Sequence, residues 1–213
     1  GDDMGSAGPA GSQDVEQTDL IERLNEQTRD SLVGDEIVGR RLAEYRALPV
    51  MYVRSETDSS SSIAGLVNGP AMANFRQTTA NFCAAASSLG VSPKVLAVGL
   101  DFTLEAVSDT GDDWLLGMYD VMQKITDLFA DHGLRKPLFI APFESGTQTA
   151  SDHAVMRAQW DLTWNKGGHD IFYSAPSYMF ELDSFGRATP LARKQMAEMD
   201  AFAIESCNRD EDW

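Results

Sequence analysis

Apolar positions along this chain recur in two textures, helix-spaced and continuous, and their alternation predicts the elements. Residues 14–32 place Val15, Leu20, Ile21, Leu24 and Leu32 at roughly helical intervals with charges between them, which predicts an amphipathic helix stopping at Gly34. Residues 35–46 predict a second helix that turns Ile37, Val38, Leu42 and Tyr45 inward. At Leu48 the texture changes: residues 48–53 form a short apolar run with Val50, Tyr52 and Val53, as expected of a strand buried on both faces. Residues 70–89 read as a helix with Pro70 in its first turn, alanine through its body and Gly90 just past its end. The run KVLAVGLDF, residues 94–102, predicts a second strand. Asp112 and Asp113 then cap a helix reaching about Asp131, with Leu116, Val121, Ile125, Leu128 and Phe129 on its apolar stripe and Gly133 ending it. KPLFIA, residues 136–141, predicts a third strand. A helix from Ser151 or Asp152 through about Thr163, broken by Gly167 and Gly168, leads to a fourth strand at 170–174. Thr189 caps the last helix, Pro190 takes its first turn, and Leu191, Met196, Met199, Phe202, Ala203 and Ile204 are expected on one face.

From Leu48 onward this order alternates strand and helix. Continuous apolar strands separated by helices favour parallel pairing with right-handed crossovers, so the expected class is α/β, a three-layer α/β/α arrangement around a mostly parallel sheet. Four segments follow: a flexible glycine-rich lead at 1–12, amphipathic N-terminal helices at 13–47, the α/β domain at 48–208, and an acidic tail at 209–213.

Charge narrows the partners. The 213 residues carry 17 Lys and Arg against 33 Asp and Glu, a formal charge of -16, so a nucleic-acid backbone would be repelled and no basic patch offsets the field. No apolar run approaches the ~20 residues of a membrane span, and residues 1–12 lack the apolar core of a signal peptide, so a soluble chain with a processed start is expected. Cys83 and Cys207 lie far apart and belong to no metal-type spacing. Cys83 sits among alanines like a small core residue, and no disulfide framework is expected.

In an open parallel sheet, ligands bind beyond the carboxyl ends of the strands, where loops and helix N-termini converge. That rule selects Arg54, Ser55, Glu56 and Asp58 after the first strand, and Asp101, Thr103 and Glu105 after the second. It adds Glu144, Ser145 and Thr147 after the third, then Ser177, Tyr178, Asp183 and Arg187 after the fourth. Glu56, Asp101, Glu144, Ser145, Tyr178 and Arg187 are the expected binding set; solvated loops and helix caps are the alternative reading. The histidines read otherwise: His132 closes a helix, His153 sits in a first turn where it could face the ligand side, and His169 precedes the fourth strand, at the opposite end of the sheet. Neither HxxxH, CxxC or HExxH spacing nor a glycine-rich phosphate loop occurs, so neither metal nor cofactor is expected. Trp114, Trp160, Trp164 and Tyr178 could offer stacking surfaces to sugars; Trp160 and Trp164, four apart, share a helix face that could equally be core or interface.

The succession of PVMYV, SSSSIAGL, ASSLG, VLAVGLDFTLEAVSD, a helix containing Tyr119, PLFIAPF, DHAVMRAQWDLT and LDSFGRATPLARKQMAEMDAF resembles the SGNH (GDSL-like) hydrolase fold. It is most similar to the carbohydrate esterase branch that includes the sialate O-acetylesterases. That resemblance covers roughly three quarters of the chain and implies a flavodoxin-like strand order, a serine nucleophile and a carbohydrate-ester substrate. Where the branch carries Trp-x-Gln-Gly-Glu-x-Asp, this chain keeps only Glu105; where it carries Asp-x-x-His, Asp183 is retained and Gly186 stands at the histidine position, beside Arg187. An arginine cannot act as the base, because its guanidinium stays charged. Candidate catalytic residues are therefore Glu105, Asp183, His153 as a displaced base, and Ser55. The degenerate motifs imply a non-catalytic module that recognises glycans or neighbouring protein subunits, conceivable in a viral particle. The alternatives are a carbohydrate O-acetylesterase whose nucleophile strand is upstream or displaced, and an assembly protein of unrelated α/β fold.

Overall fold

The computed structural model describes residues 29–48, 51–53, 62–101, 109–143, 154–164, 168–184 and 188–209. The flexible lead, the first helix up to residue 28 and the acidic tail beyond Arg209 lie outside them. The protein is mixed α/β and divides into two compact units.

The larger unit, within residues 56–178, holds a parallel sheet. Its elements are α-helices Ile63–Asn68 and Pro70–Ser88, strand Val98–Gly99, helix Gly111–Asp131, strand Leu138–Phe143, helix Ala154–Trp164 and strand Asp170–Pro176. With helix Arg29–Ala43 of the other unit counted as α1, these are α2, α3, β1, α4, β2, α5 and β3. The strands lie in the order β1-β2-β3, all parallel, pairing Val98 with Phe139 and Phe139 with Ile171. A sheet that grows in one direction through right-handed crossovers puts consecutive helices on the same face. Accordingly α4 and α5 pack against each other. Alternation along the strands turns Val98, Phe139, Ala141 and Ile171 toward that face. There they bury with Trp114, Met118, Val121, Met122, Ile125 and Phe129 of α4 and Val155, Ala158 and Leu162 of α5. On the opposite face Ile140 and Ser174 are buried as well.

Local signals behave as their chemistry requires. Gly90 and Gly133 take left-handed φ of 67° and 66° after α3 and α4. There the amides of Val91 and Leu134 reach back to the carbonyls of Ala86 and Phe129 at 3.0 and 2.8 Å. Thr110, not Asp112 or Asp113, is the N-cap of α4: its hydroxyl accepts from the Asp113 amide at 3.1 Å and donates to the Asp113 carboxylate at 2.7 Å. The stripe of α4 holds at Val121, Ile125 and Phe129, while Leu128 is only half-buried and Leu116 faces solvent because Trp114 and Met118 take the inward positions.

Strands departed further from expectation. Among the described residues 94–101 the strand is confined to Val98–Gly99, with the Leu100 amide adding one further bond to the Ile140 carbonyl of β2 at 2.8 Å, since a strand exists only where a neighbour offers its ladder. Residues 51–53 form no strand, and their Val53 side chain packs instead at Gly34 of the smaller unit. The sequence also gave no sign of α2. Its N-terminus is fixed by the Ser62 hydroxyl, which accepts from Gly65, and by the Asp109 carboxylate, which accepts from the Ile63 amide at 2.7 Å.

Gly117 of α4 lies under the fully buried Ile63, and a Cβ there would come within 2.7 Å of Ile63 Cγ1. Gly39 of α1 has nothing within 4 Å of its missing Cβ. Gly39→Ala should therefore stabilise the protein by about 0.5–1 kcal/mol. Gly117→Ala should destabilise it by about 1–3 kcal/mol. Urea denaturation of the two variants checks the opposite signs.

The smaller unit pairs α1 with the C-terminal helix Pro190–Asn208, α6. One continuous helix runs through Gly34, which is no stop: its lack of a side chain lets Val53 approach, where a Cβ would lie 2.7 Å from Val53 Cγ2. Of the residues expected inward, Ile37 is buried and Val38 half-buried, while Leu42 and Tyr45 are exposed. Tyr45 is the left-handed residue that ends α1, at φ 55°, with the Arg46 amide donating to Arg41 at 2.8 Å. α6 is capped by Thr189 and begins at Pro190 as expected. Met196, Ala203 and Ile204 are buried as expected and are joined by Ala192, Ala197 and Ala201, whereas Met199 is half-buried and Leu191 and Phe202 lie outside. Alanine permits close helix approach, and the Phe202 ring receives the Arg40 guanidinium at 5.0 Å.

At the end of this pair the buried Glu205 carboxylate has both oxygens engaged. Arg41 donates to Oε1 through Nε and Nη2 at 3.2 and 2.8 Å, and Arg46 donates to Oε2 at 2.6 Å. Burial pushes the Glu205 pKa up, but the hydrogen bonds from the two arginines outweigh it, holding the carboxyl below its ordinary range.

Candidate functional site

The carboxyl ends of β1, β2 and β3 converge on one edge of the larger unit. Gln159, on the buried stripe of α5 with Val155, Ala158 and Leu162, donates from Nε2 to the Pro142 carbonyl at 2.9 Å, which ties mid-α5 to the end of β2. The Tyr173 hydroxyl of β3 donates back to the Gln159 carbonyl at 3.2 Å. Between these anchors the Phe143 ring, the last of β2, meets Tyr173 edge-on at 5.6 Å and Trp160 at 6.4 Å. The result is an aromatic ladder from the buried sheet face to the surface, in which the Trp160 residue remains 54 % exposed. Burial pushes the phenols of Tyr119 and Tyr173 above the ordinary tyrosine range, so both remain neutral, and Tyr173 acts as a donor rather than a base.

Around the ladder, Asp101 follows β1 and is exposed, and Tyr178 follows β3 and is 58 % exposed. Two strand spacings, about 10 Å, separate the ends of β1 and β3. Ser177 is buried beside Tyr178, and its hydroxyl has no hydrogen-bond partner among the described residues. Asp183 belongs to the smaller unit, half-buried beside the antiparallel bridge Leu182–Ala188. Ser55, Glu56, Glu105, Glu144, Ser145, His153 and Arg187 lie outside the described residues. Among the described residues no group of three His, Cys, Asp or Glu side chains stands where it could hold a metal ion.

No family model, curated protein or solved structure matches this chain.

Of the four aromatic candidates, Trp114 is a core residue at 1 % exposure, its indole sealed between α4 and the sheet cluster. Trp160 and Tyr178 present surface, and the side chain of Trp164 lies outside the described residues. The supporting Phe143, Tyr173 and Gln159 escaped the sequence reading. Phe143 closes the apolar run that continues KPLFIA, and Gln159 interrupts an apolar helix stripe; that buried amide is the signal a sequence could have offered. His132 caps the C-terminus of α4 and His169 is buried just before β3, at the amino end of the sheet. No α-helix among the described residues is long and apolar enough to cross a membrane.

Proposed function

We propose that the chain is a non-catalytic carbohydrate-recognition module on an SGNH-hydrolase-like scaffold, with Trp160 as the principal sugar platform. The observation that carries this reading is the half-exposed indole braced edge-on by Phe143 at the carboxyl end of β2. A pyranose ring lays its C–H face on an indole, and a pre-oriented ring loses little freedom on binding. The three-layer form of the scaffold is part of the proposal, supported by burial on both faces of the parallel sheet. The formal charge of -16 and the exposed Asp101 favour neutral saccharides over sialylated or sulfated ones. Gly186 at the family's histidine position supports the non-catalytic part.

Titration of the purified chain with neutral oligosaccharides from a glycan array should give saturable binding. Trp160→Ala should weaken it at least tenfold, the scale of a lost stacking contact of about 1.5 kcal/mol. Absence of binding across the array, or unchanged binding by the variant, overturns the platform. Turnover of a chromogenic acetyl ester that disappears in His153→Ala would replace the reading with that of an esterase using a displaced base.

A further inference from the structure

The amino end of the sheet carries a buried titratable group that the proposed recognition surface does not use. His169 is 8 % exposed, packed edge-on against Phe139 with ring centroids 6.1 Å apart. Its Nδ1 is buried with no hydrogen-bond partner among the described residues. The residues on either side of it are held by one cation: Lys136 Nζ donates to the Gly168 carbonyl at 2.8 Å and pairs with the Asp170 carboxylate at 3.1 Å. This clip joins the segment entering β2 to the start of β3. The charged groups acting on the imidazole are Lys136 before β2, Asp170 of β3 and Asp127 of α4.

We propose that His169 is an acid-sensitive latch on the amino end of the sheet, seated there only as the neutral imidazole. Neutral, it leaves one buried acceptor unpaired, a tolerable cost. Protonated, it would bury an unpaired N–H bearing charge and set a second cation beside the Lys136 clip, which the two carboxylates only partly offset. Burial, then the Lys136 charge, accordingly hold the imidazole below its ordinary value, against the opposing pull of Asp170 and Asp127. For a base held below its unfolded value of 6.5, the unfolded chain takes up the proton first. The latch therefore contributes fully above that pH and loses its contribution as pH falls from there toward the folded value.

NMR titration of the His169 imidazole in the intact folded chain and in the urea-unfolded chain tests the latch directly. His169 should titrate at lower pH in the folded chain than its unfolded value of 6.5, and the unfolding equilibrium constant should rise by up to about tenfold per pH unit below 6.5. His169→Gln should flatten that dependence between pH 5 and 7. Titration of folded His169 at or above its unfolded value of 6.5, or an unchanged slope in a folded His169→Gln protein, overturns the proposal. If the variant does not fold, the wild-type titration alone decides.

Discussion

Trp114→Ala will destabilise the larger unit by about 3–5 kcal/mol, the usual cost of emptying a tryptophan-sized site in a packed core. The indole is among the largest fully buried side chains and joins α4 to the cluster of Val98, Phe139 and Ile171. The loss should appear in the urea midpoint and, where the variant still folds, leave saccharide affinity per folded molecule unchanged. Trp160→Ala should do the reverse, since that ring is already half in water. A midpoint for Trp114→Ala within about 1 kcal/mol of wild type would mean that α4 does not seat on the sheet through this residue.

Glu205→Ala will destabilise the smaller unit by about 2–3 kcal/mol, below the full cost of breaking a buried pair because the arginines left behind reach water. Arg41 and Arg46 would each lose their shared carboxylate at the junction of α1 and α6. The same carboxylate gives an acid signature of definite sign. Its folded pKa lies below the unfolded value of 4.5, so its contribution is present above that pH and fades as pH falls through the folded value. Denaturation midpoints between pH 3 and 7 should show wild type and Glu205→Ala converging at the acid end. Parallel curves would remove the carboxylate from the account.

The histidine and glutamate effects set in at different pH as the solution is acidified, at 6.5 for the His169 latch and only at 4.5 for the Glu205 pair. A single acid transition that both variants alter equally would show that neither group acts on its own. Because one group lies in each compact unit, probes placed in α4 and in α6 should report them separately.

Much of the local structure was legible because its cause is local. Gly90 and Gly133 end their helices in a conformation that glycine alone adopts freely, and Pro190 with Thr189 starts α6 through a missing donor and a hydroxyl cap. Those facts need no distant partner. Gly34 shows the limit: by composition it resembles Gly133, yet it lies inside a helix because Val53, nineteen positions away, needs its space. The candidate face was legible in the same partial way. Parallel strands put Asp101 and Tyr178 at one edge, but which tryptophan joins them depended on packing.

By itself, then, the sequence determined most of the longer helices, the glycine stops at Gly90 and Gly133, the Thr189 cap, the α/β character and the acidic field, all consequences of near neighbours and of side-chain period. Tertiary structure decided what needs a partner from elsewhere in the chain. Among the described residues of the longer apolar run the strand beside β2 is confined to Val98–Gly99, and alanines rather than Leu191 and Phe202 line α6, where helices must approach closely. It is also tertiary packing that hides Trp114 and leaves Trp160 at the surface, because a hydrophobic residue is drawn inward only where the fold has a cavity of its shape to offer.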